Sequence, residues 1–115
     1  MADCIFCKIA NQEIPSTAVF EDEQVIAFKD LEPQAPVHVL VIPKKHIVSV
    51  GALQAEDKDV VSHILCDVIP KIAKEQGIAE KGFRVVANTG AEGGQTVNHL
   101  HFHVLGGRSM QWPPG

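Results

Sequence analysis

Hydrophobic and polar positions alternate along the chain in blocks that predict a mixed α+β fold. Residues 4–10 form a short apolar stretch, which predicts one or two helical turns. Residues 17–20 and 25–28 flank a polar tetrapeptide and predict a β-hairpin. Residues 37–42 are almost entirely apolar and rich in β-branched side chains, which predicts a strand at the buried centre of a sheet.

Apolar residues recur at helical spacing in the middle of the chain and predict one long helix. They are Val60, Val61, Ile64, Leu65, Val68, Ile69, Ile72 and Ala73. Pro70 lies inside this stripe and predicts a kink, because proline removes one helical hydrogen bond. Gly77 stands where a helix commonly ends. Two further strands are predicted at residues 83–88 and 99–105, with a glycine-containing loop between them.

Composition narrows the class of protein without identifying a function. No linker divides the chain, so we expect residues 1–115 to form one domain. A net charge of −4 argues against nucleic acid or an anionic membrane as a partner. The sequence starts without a secretory signal, and no apolar stretch approaches the roughly 20 residues of a membrane span. We therefore expect a cytoplasmic protein.

Three histidines alternate with apolar residues in the run His99-Leu100-His101-Phe102-His103. In a strand they would line one face, with neighbouring rings about 7 Å apart, while the apolar residues would face the core. Three interpretations are open: partly exposed histidines without a chemical role, metal ligands, or a nucleophile that attacks phosphorus. Spacing alone does not separate the last two.

A glycine-rich segment, residues 90–96, directly precedes the histidine run. Glycines let the backbone approach an anion closely, and successive amide groups can form an anion-binding concavity. Asn88, Gln95 and Thr96 add uncharged polar groups nearby. The sequence therefore indicates an anionic group held against the histidine rings.

Cys4 and Cys7 are separated by two residues, a spacing that favours metal or redox chemistry over a structural disulfide in a cytosolic protein. Cys66 lies near the apolar side of the predicted long helix, and we expect it to pack there. His63 on the same helix has no motif around it, and we expect it on the surface.

The histidine run and the residue pair after it fit the pattern His-φ-His-φ-His-φ-φ, where φ is apolar, and so resemble the histidine-triad superfamily. Further segments are similar to its Hint branch of nucleotide-binding proteins: Ile14-Pro15, Phe28-Lys29-Asp30, residues 33–38, residues 41–46, Gly93-Gly94-Gln95 and residues 106–115. This resemblance extends from about residue 4 to the C-terminus. It implies an antiparallel sheet of about five strands with one long helix packed on it, and a homodimer that joins two sheets.

The resemblance also implies catalytic roles within and around the triad. His101 would attack the α-phosphate of a purine nucleotide derivative, of AMP or GMP, and carry a covalent nucleotidyl intermediate. His38 and His103 would contact phosphate oxygens and assist the departing group. Thr96 would lie near the leaving group, and His99 completes the triad.

A second set of residues resembles the nucleotide-binding positions of the superfamily. Asp30 would accept hydrogen bonds from the ribose hydroxyls. Asn88, Gly94, Gln95 and Thr96 would line the phosphate site. The implied apolar walls around the base are Ile5, Phe6, Ile9, Ile14, Phe28 and Leu40. Trp112, in the proline-rich tail, would approach the site of the partner subunit.

In zinc-bearing branches of the superfamily, positions matching Cys4, Cys7, His46 and His99 bind the metal. Two thiolates and two imidazoles suit tetrahedral Zn²⁺, and four protein ligands make a site structural. On this resemblance zinc would attach the N-terminus to the sheet, and the chemistry would need no metal.

The resemblance implies hydrolysis of the phosphorus–nitrogen bond in purine nucleoside 5′-phosphoramidates, with release of AMP. Dinucleoside polyphosphates or acyl-adenylates are alternative substrates for the same site. A nucleotide-binding or scaffolding protein with weak catalysis is a second hypothesis. The third is a zinc-handling protein in which the triad is an additional metal site.

Overall fold

The computed structural model describes residues 4–115. We label the elements α1 (Ile5–Ala10), β1 (Ala18–Glu21), β2 (Val25–Lys29), β3 (Val37–Pro43), β4 (Phe83–Val86) and β5 (Phe102–Gly106), with two short 3₁₀ turns at Val50–Ala52 and Ala55–Asp57. Between the second turn and β4, the segments Lys58–His63, Ile64–Val68 and Ile69–Glu75 follow one another without a break. We call this long helix α2. Among the described residues, no helix has the length and hydrophobicity that crossing a membrane requires.

The five strands form one antiparallel sheet in the order β1-β2-β3-β5-β4. The predicted α+β class, with about five strands and one long helix, is therefore confirmed. Strand β3 occupies the middle of the sheet, pairs with β2 and β5, and is buried along almost its whole length. The prediction that this apolar run is a central strand is also confirmed.

The two faces of the sheet pack against different helices. One face packs against α2, and the buried residues there are Val25, Ala27, Val39, Val41, Ile47, Ile64, Val68, Ile69, Ile72, Ala73, Ile78, Leu100, Phe102 and Val104. The other face packs against α1, through Phe6, Ile9, Ala10, Ile26, Phe28, Leu40 and Ile42. Because side chains alternate along a strand, β3 sends Val39 and Val41 to α2, and His38 and Leu40 to the α1 face.

Helix α2 is irregular just before Pro70, as the sequence predicts, but the irregularity is a π-helical segment at Ile64–Val68. Its wider turn, closed by the hydrogen bond from the Ile69 amide to the Ile64 carbonyl, accommodates a proline that cannot donate one of the usual bonds. Most of the predicted apolar stripe is buried, whereas Leu65 is 46% exposed. Cys66 is also exposed, so the expectation that it packs in the core was wrong.

Helix α2 ends in a Schellman motif at the predicted glycine. Gly77 has φ +76°, and its amide donates to the Lys74 carbonyl while the Ile78 amide donates to the Ala73 carbonyl. Glycine is favoured here because residues with a Cβ atom rarely adopt a positive φ. The motif turns the chain so that Ile78 reaches the core.

Two predicted strands are shorter than expected, β4 at its C-terminal end and β5 at its N-terminal end. Strand β4 ends at Val86, and β5 begins at Phe102, so His99 and His101 precede the strand. The amide of Leu100 donates to the carbonyl of Ile47 at 2.6 Å and not to a neighbouring strand of the sheet. The chain therefore enters β5 only after the second histidine.

His63 joins helix α2 to the β1–β2 hairpin. Its Nε2 lies 2.6 Å from Asp22 Oδ2 and its Nδ1 lies 2.9 Å from Asp67 Oδ2. Asp22 also accepts the amides of Gln24 and Val25 and so closes the hairpin turn. The hydrogen bond to Asp22, together with the one to Asp67, raises the pKa of His63 above its usual value. His63, which we expected on the surface, is therefore partly buried and links the helix to the hairpin.

We expect His63→Gln to destabilise the fold in a pH-dependent way. Because the folded pKa of His63 is raised, its charge contributes fully below the unfolded pKa near 6.5 and loses its effect as the pH rises through the folded value. The free energy of unfolding from urea titrations should fall by about 1 kcal/mol at pH 5.5, and by less at pH 9. Lys71→Gln, on the same helix, is the control. An equal loss at both pH values would contradict the role of the charged form.

Candidate active site and metal centre

A cavity of about 380 Å³ opens on the α1 face of the sheet. This volume falls in the range of small-molecule sites. The predicted site residues that line it are Ile5, Phe6, Ile9, Ile14, Phe28, Asp30, Leu40, Thr96, His101 and His103. The apolar part of the lining comes from α1, β2 and β3, and the polar part includes the Asp30 carboxylate and the imidazoles of His101 and His103. The cavity can therefore take an amphipathic ligand with a flat apolar part and an anionic part.

Asp30 follows directly after β2 and lines the cavity. Its Oδ1 accepts the amide of Glu32 at 2.8 Å, and its Oδ2 lies 3.5 Å from His38 Nε2. These contacts fix the orientation of a carboxylate that is still partly exposed to the cavity. Because a carboxylate accepts several hydrogen bonds, Asp30 can take a pair of hydroxyl groups from a ligand.

His38 and His103 are brought together by the register of the sheet. His38 pairs with Leu105, and Leu40 pairs with His103, so the two histidines are diagonal neighbours on the α1 face. His38 Nε2 lies 2.8 Å from His103 Nδ1. His38 Nδ1 accepts the backbone amide of Gln34, so the ring proton of His38 must be on Nε2, which donates to His103. His103 then carries its own proton on Nε2.

Burial keeps both of these imidazoles neutral. Loss of hydration, followed by the effect of the neighbouring His101 and His38 rings, lowers the pKa of His103 to about 4. Burial likewise lowers the pKa of His38, against the opposing charge of Asp30. Because the rings are neutral at neutral pH, each keeps one nitrogen as a donor and the other as an acceptor.

His101 is oriented by the backbone of the triad itself. Its Nδ1 lies 2.7 Å from the carbonyl oxygen of His99, which can only accept, so Nδ1 donates. In the neutral ring the lone pair is therefore on Nε2. The His101 ring is 5.0 Å from the His103 ring, closer than the expected 7 Å because His101 precedes the extended strand. His101 thus presents an unprotonated nitrogen beside a ring that carries a donor.

His99 points away from the cavity into a different cluster. The ring is fully buried, and its Nε2 donates to the carbonyl of Pro43 at 2.8 Å. Its Nδ1, which then carries the lone pair, lies 3.4 Å from Sγ of both Cys4 and Cys7. All three triad histidines lie on the α1 face, but only two contribute to the cavity.

Cys4, Cys7, His46 and His99 form a group whose ligand atoms all lie within 4.8 Å of one another. Cys7 Sγ is 3.1 Å from His46 Nδ1 and 3.4 Å from His99 Nδ1. Tetrahedral zinc, with bonds of about 2.3 Å to sulfur and about 2.0 Å to nitrogen, would separate such atoms by about 3.5 Å. The donor set, the spacing and the free lone pair of His99 therefore fit a closed zinc site.

Asp30, His38 and His103 are close enough to form a second group of possible ligands. However, the Gln34 amide holds the proton of His38 on Nε2, the atom that faces the other two residues. A metal bound at His38 Nε2 would have to displace this proton. The proton could not move to Nδ1 without breaking the hydrogen bond from the Gln34 amide. The group is therefore arranged to share a proton, which argues against a metal site in the triad.

Four of the residues assigned to nucleotide binding do not line the cavity. Asn88 and Gly94 lie in the connection between β4 and β5, and Trp112 is 81% exposed in the tail. Gln95 uses its side-chain amide within the chain, because it accepts from the Gly90 amide and donates to the carbonyls of Val48 and Val97. Within the glycine-rich segment, residues 90–96, Thr96 is the one residue that lines the cavity.

The structure adds lining residues that the sequence analysis did not assign to the site. They are Pro15, Ser16, Thr17, Lys29, Leu31, Glu32 and Val97. Most adjoin a named residue in the sequence, and this adjacency is the only signal that could have found them. The amide of Gln34 and the carbonyl of Pro43, which fix two histidine tautomers, are backbone groups and have no signature in the sequence.

The chain is similar to known proteins over nearly its whole length. The family model described as "Scavenger mRNA decapping enzyme C-term binding" matches residues 3–112. The chain is 48% identical over 115 residues to a 14 kDa zinc-binding protein of Brassica juncea, with 98% of this chain and 100% of the relative covered. It is 50% identical over 113 residues to the adenylylsulfatase HINT1 of Arabidopsis thaliana, with 96% of this chain and 76% of the relative covered.

A solved structure with the same fold is the HIT family hydrolase of Legionella pneumophila. It superposes with a TM-score of 0.95 at 50% identity, covering 98% of this chain and 100% of the other. Because the family model spans nearly the whole chain and the relatives are this similar, the chain belongs to the histidine-triad (HIT) family, with HIT hydrolases and Hint-like proteins among its relatives.

Proposed function

We propose that the protein hydrolyses purine nucleoside 5′-phosphoramidates through a nucleotidyl intermediate on His101, releasing AMP from adenosine substrates. The observation that carries this proposal is the hydrogen bond from His101 Nδ1 to the His99 carbonyl, which leaves Nε2 as a free nucleophile in the cavity. The family membership supports a hydrolase, and the apolar lining together with Asp30 supports a nucleoside as the bound group.

The reaction proceeds in two displacements. His101 Nε2 forms a bond to the α-phosphorus, the phosphorus–nitrogen bond breaks, and the departing nitrogen takes up a proton. Water then attacks phosphorus, the bond to His101 breaks, and AMP leaves. The Nε2–H of His103 and the hydroxyl of Thr96 are available to donate to a phosphate oxygen or to the leaving group.

The relative named adenylylsulfatase favours a second candidate substrate, adenylyl sulfate. The same His101 attack would then expel sulfate and not an amine. Dinucleoside polyphosphates and acyl-adenylates would change only the leaving group in the same way. All of these candidates share the nucleoside and the attacked α-phosphate.

We propose that the Cys4, Cys7, His46 and His99 group holds a structural Zn²⁺. Relatives named zinc-binding proteins and the arrangement of the four ligand atoms support this assignment. With four protein ligands, bound zinc would supply a cross-link between α1 and the chain around β3 and β5. No step of the proposed reaction passes through it.

We also propose that two chains pair through the edge strand β4. Phe83 and Val85 lie on one face of this strand, and both are more than one-third exposed. An exposed apolar edge strand is a template for pairing with a second strand. Trp112, in the same chain, would bury its exposed ring against the partner.

We expect His101→Ala to reduce hydrolysis of an adenosine phosphoramidate by at least about a thousandfold, because the nucleophile is lost. Chromatography would measure AMP, and mass spectrometry of base-quenched wild-type protein should show a nucleotidyl group on His101. His63→Gln, outside the cavity, is the control. Running adenylyl sulfate in parallel decides between the two leaving groups. AMP release by the variant at the wild-type rate would contradict the mechanism.

Zinc content gives a separate test of the metal centre. Elemental analysis of the purified protein should find one zinc per chain, and Cys7→Ser should lose it because a ligand is removed. Cys66→Ser is the matched cysteine control and should keep zinc, as should His103→Ala. Loss of zinc from His103→Ala would support a metal site in the triad instead.

The proposed pairing predicts that Val85→Lys yields a single-chain species, because it places a charge in the apolar contact. Light scattering coupled to size-exclusion chromatography should show the mass of two chains for the wild-type protein and one for the variant. Leu31→Lys, which changes another exposed apolar residue, should remain paired. A wild-type protein that elutes as one chain would refute the dimer.

A further inference from the structure

The metal centre and the nucleotide cavity share helix α1. Cys4 caps this helix, Cys7 lies inside it, and Phe6 between them lines the cavity. The Phe6 ring lies 5.1 Å from the His101 ring, 6.0 Å from the His99 ring and 5.6 Å from the Phe28 ring, in edge-to-face contacts. One side of α1 therefore faces possible metal ligands, and the other forms the apolar wall for the ligand.

The two sites also share His99. Its ring offers Nδ1 to the cysteines, while its carbonyl oxygen accepts the hydrogen bond that orients His101. Any shift of the His99 backbone would move the acceptor of that bond. A metal bound at His99 Nδ1 would thus restrict the movement of the His99 carbonyl, which orients His101.

Little else secures α1. The helix has six residues, too few to be stable alone. Within residues 4–115, the side chains of residues 4–10 form hydrogen bonds outside the helix only with His46 and His99. The remaining attachment is apolar packing by Phe6, Ile9 and Ala10. Without a metal, the position of α1 in the cavity wall would depend on that packing and on the thiol–imidazole hydrogen bonds.

We propose that metal loading of the Cys4, Cys7, His46 and His99 group controls the nucleotide cavity, by fixing Phe6 in its wall and the His99 carbonyl against His101. This inference rests on the proposed function for the identity of the ligand, a purine nucleoside monophosphate. Metal loading then strengthens nucleotide binding through Phe6, and speeds the first displacement through His101. Because coupling between two bound ligands is reciprocal, AMP must also tighten the binding of zinc by the same factor.

His46 is the residue with which to test this coupling, because its ring contacts Cys7 and His99 but does not line the cavity. His46→Ala should lose zinc, weaken AMP binding by about tenfold in calorimetry, and lower kcat as well. His46→Cys restores a fourth zinc ligand and should restore both binding and kcat. Cys66→Ser should match the wild-type protein in all three measurements.

The reciprocal measurement uses the wild-type protein and so does not depend on a variant that folds. A chelator of known zinc affinity should extract zinc less readily when AMP saturates the protein, with a shift of about tenfold in the zinc dissociation constant. If AMP leaves that constant unchanged, and zinc-free His46→Ala binds AMP as the wild-type protein does, the coupling is refuted. If the zinc-loaded protein binds AMP but hydrolyses no phosphoramidate, the proposed function fails, while the two binding measurements still decide the coupling.

Discussion

The hydrogen bond from His101 Nδ1 to the carbonyl of His99 is the constraint on which the organisation of the site depends. Both of the histidines that it joins precede the regular strand, which begins at Phe102. The amide of Leu100 accordingly bonds to Ile47, outside the sheet ladder. This local geometry gives one histidine to the cavity and turns its neighbour towards the cysteines.

Three hydrogen bonds place three chemically identical side chains in three different proton arrangements. The acceptor for His101 leaves its Nε2 free, the acceptor for His99 leaves its Nδ1 free, and the donor from His38 leaves His103 with a proton on Nε2. Burial supports this division because it lowers the pKa of His38, His99 and His103, so these rings stay neutral. Among the described residues, no buried side-chain nitrogen or oxygen lacks a hydrogen-bond partner.

Much of the fold follows from the sequence pattern. The continuous apolar run of β3 and the helical stripe of α2 are signals of burial, and burial is what the structure shows for β3 and for most of the stripe. The exposure of Leu65 could not be predicted, because the π-helical segment changes the angular position of side chains around it. The truncated start of β5 depends on a contact with Ile47, which is far away in the sequence.

The distinction between the proposed metal centre and the proposed catalytic group is beyond the residue pattern for a related reason. Two cysteines with two histidines, and one aspartate with two histidines, are both plausible ligand sets by composition. The backbone decides between them. The carbonyl of Pro43 accepts a hydrogen bond from His99 Nε2 and so leaves the lone pair of Nδ1 directed at the thiols. The amide of Gln34 donates to His38 Nδ1 and so leaves the proton of Nε2 directed at His103. Side chains supply the chemistry in both clusters. Whether the backbone group beside a histidine accepts or donates a hydrogen bond determines which cluster can bind a metal and which can only share a proton.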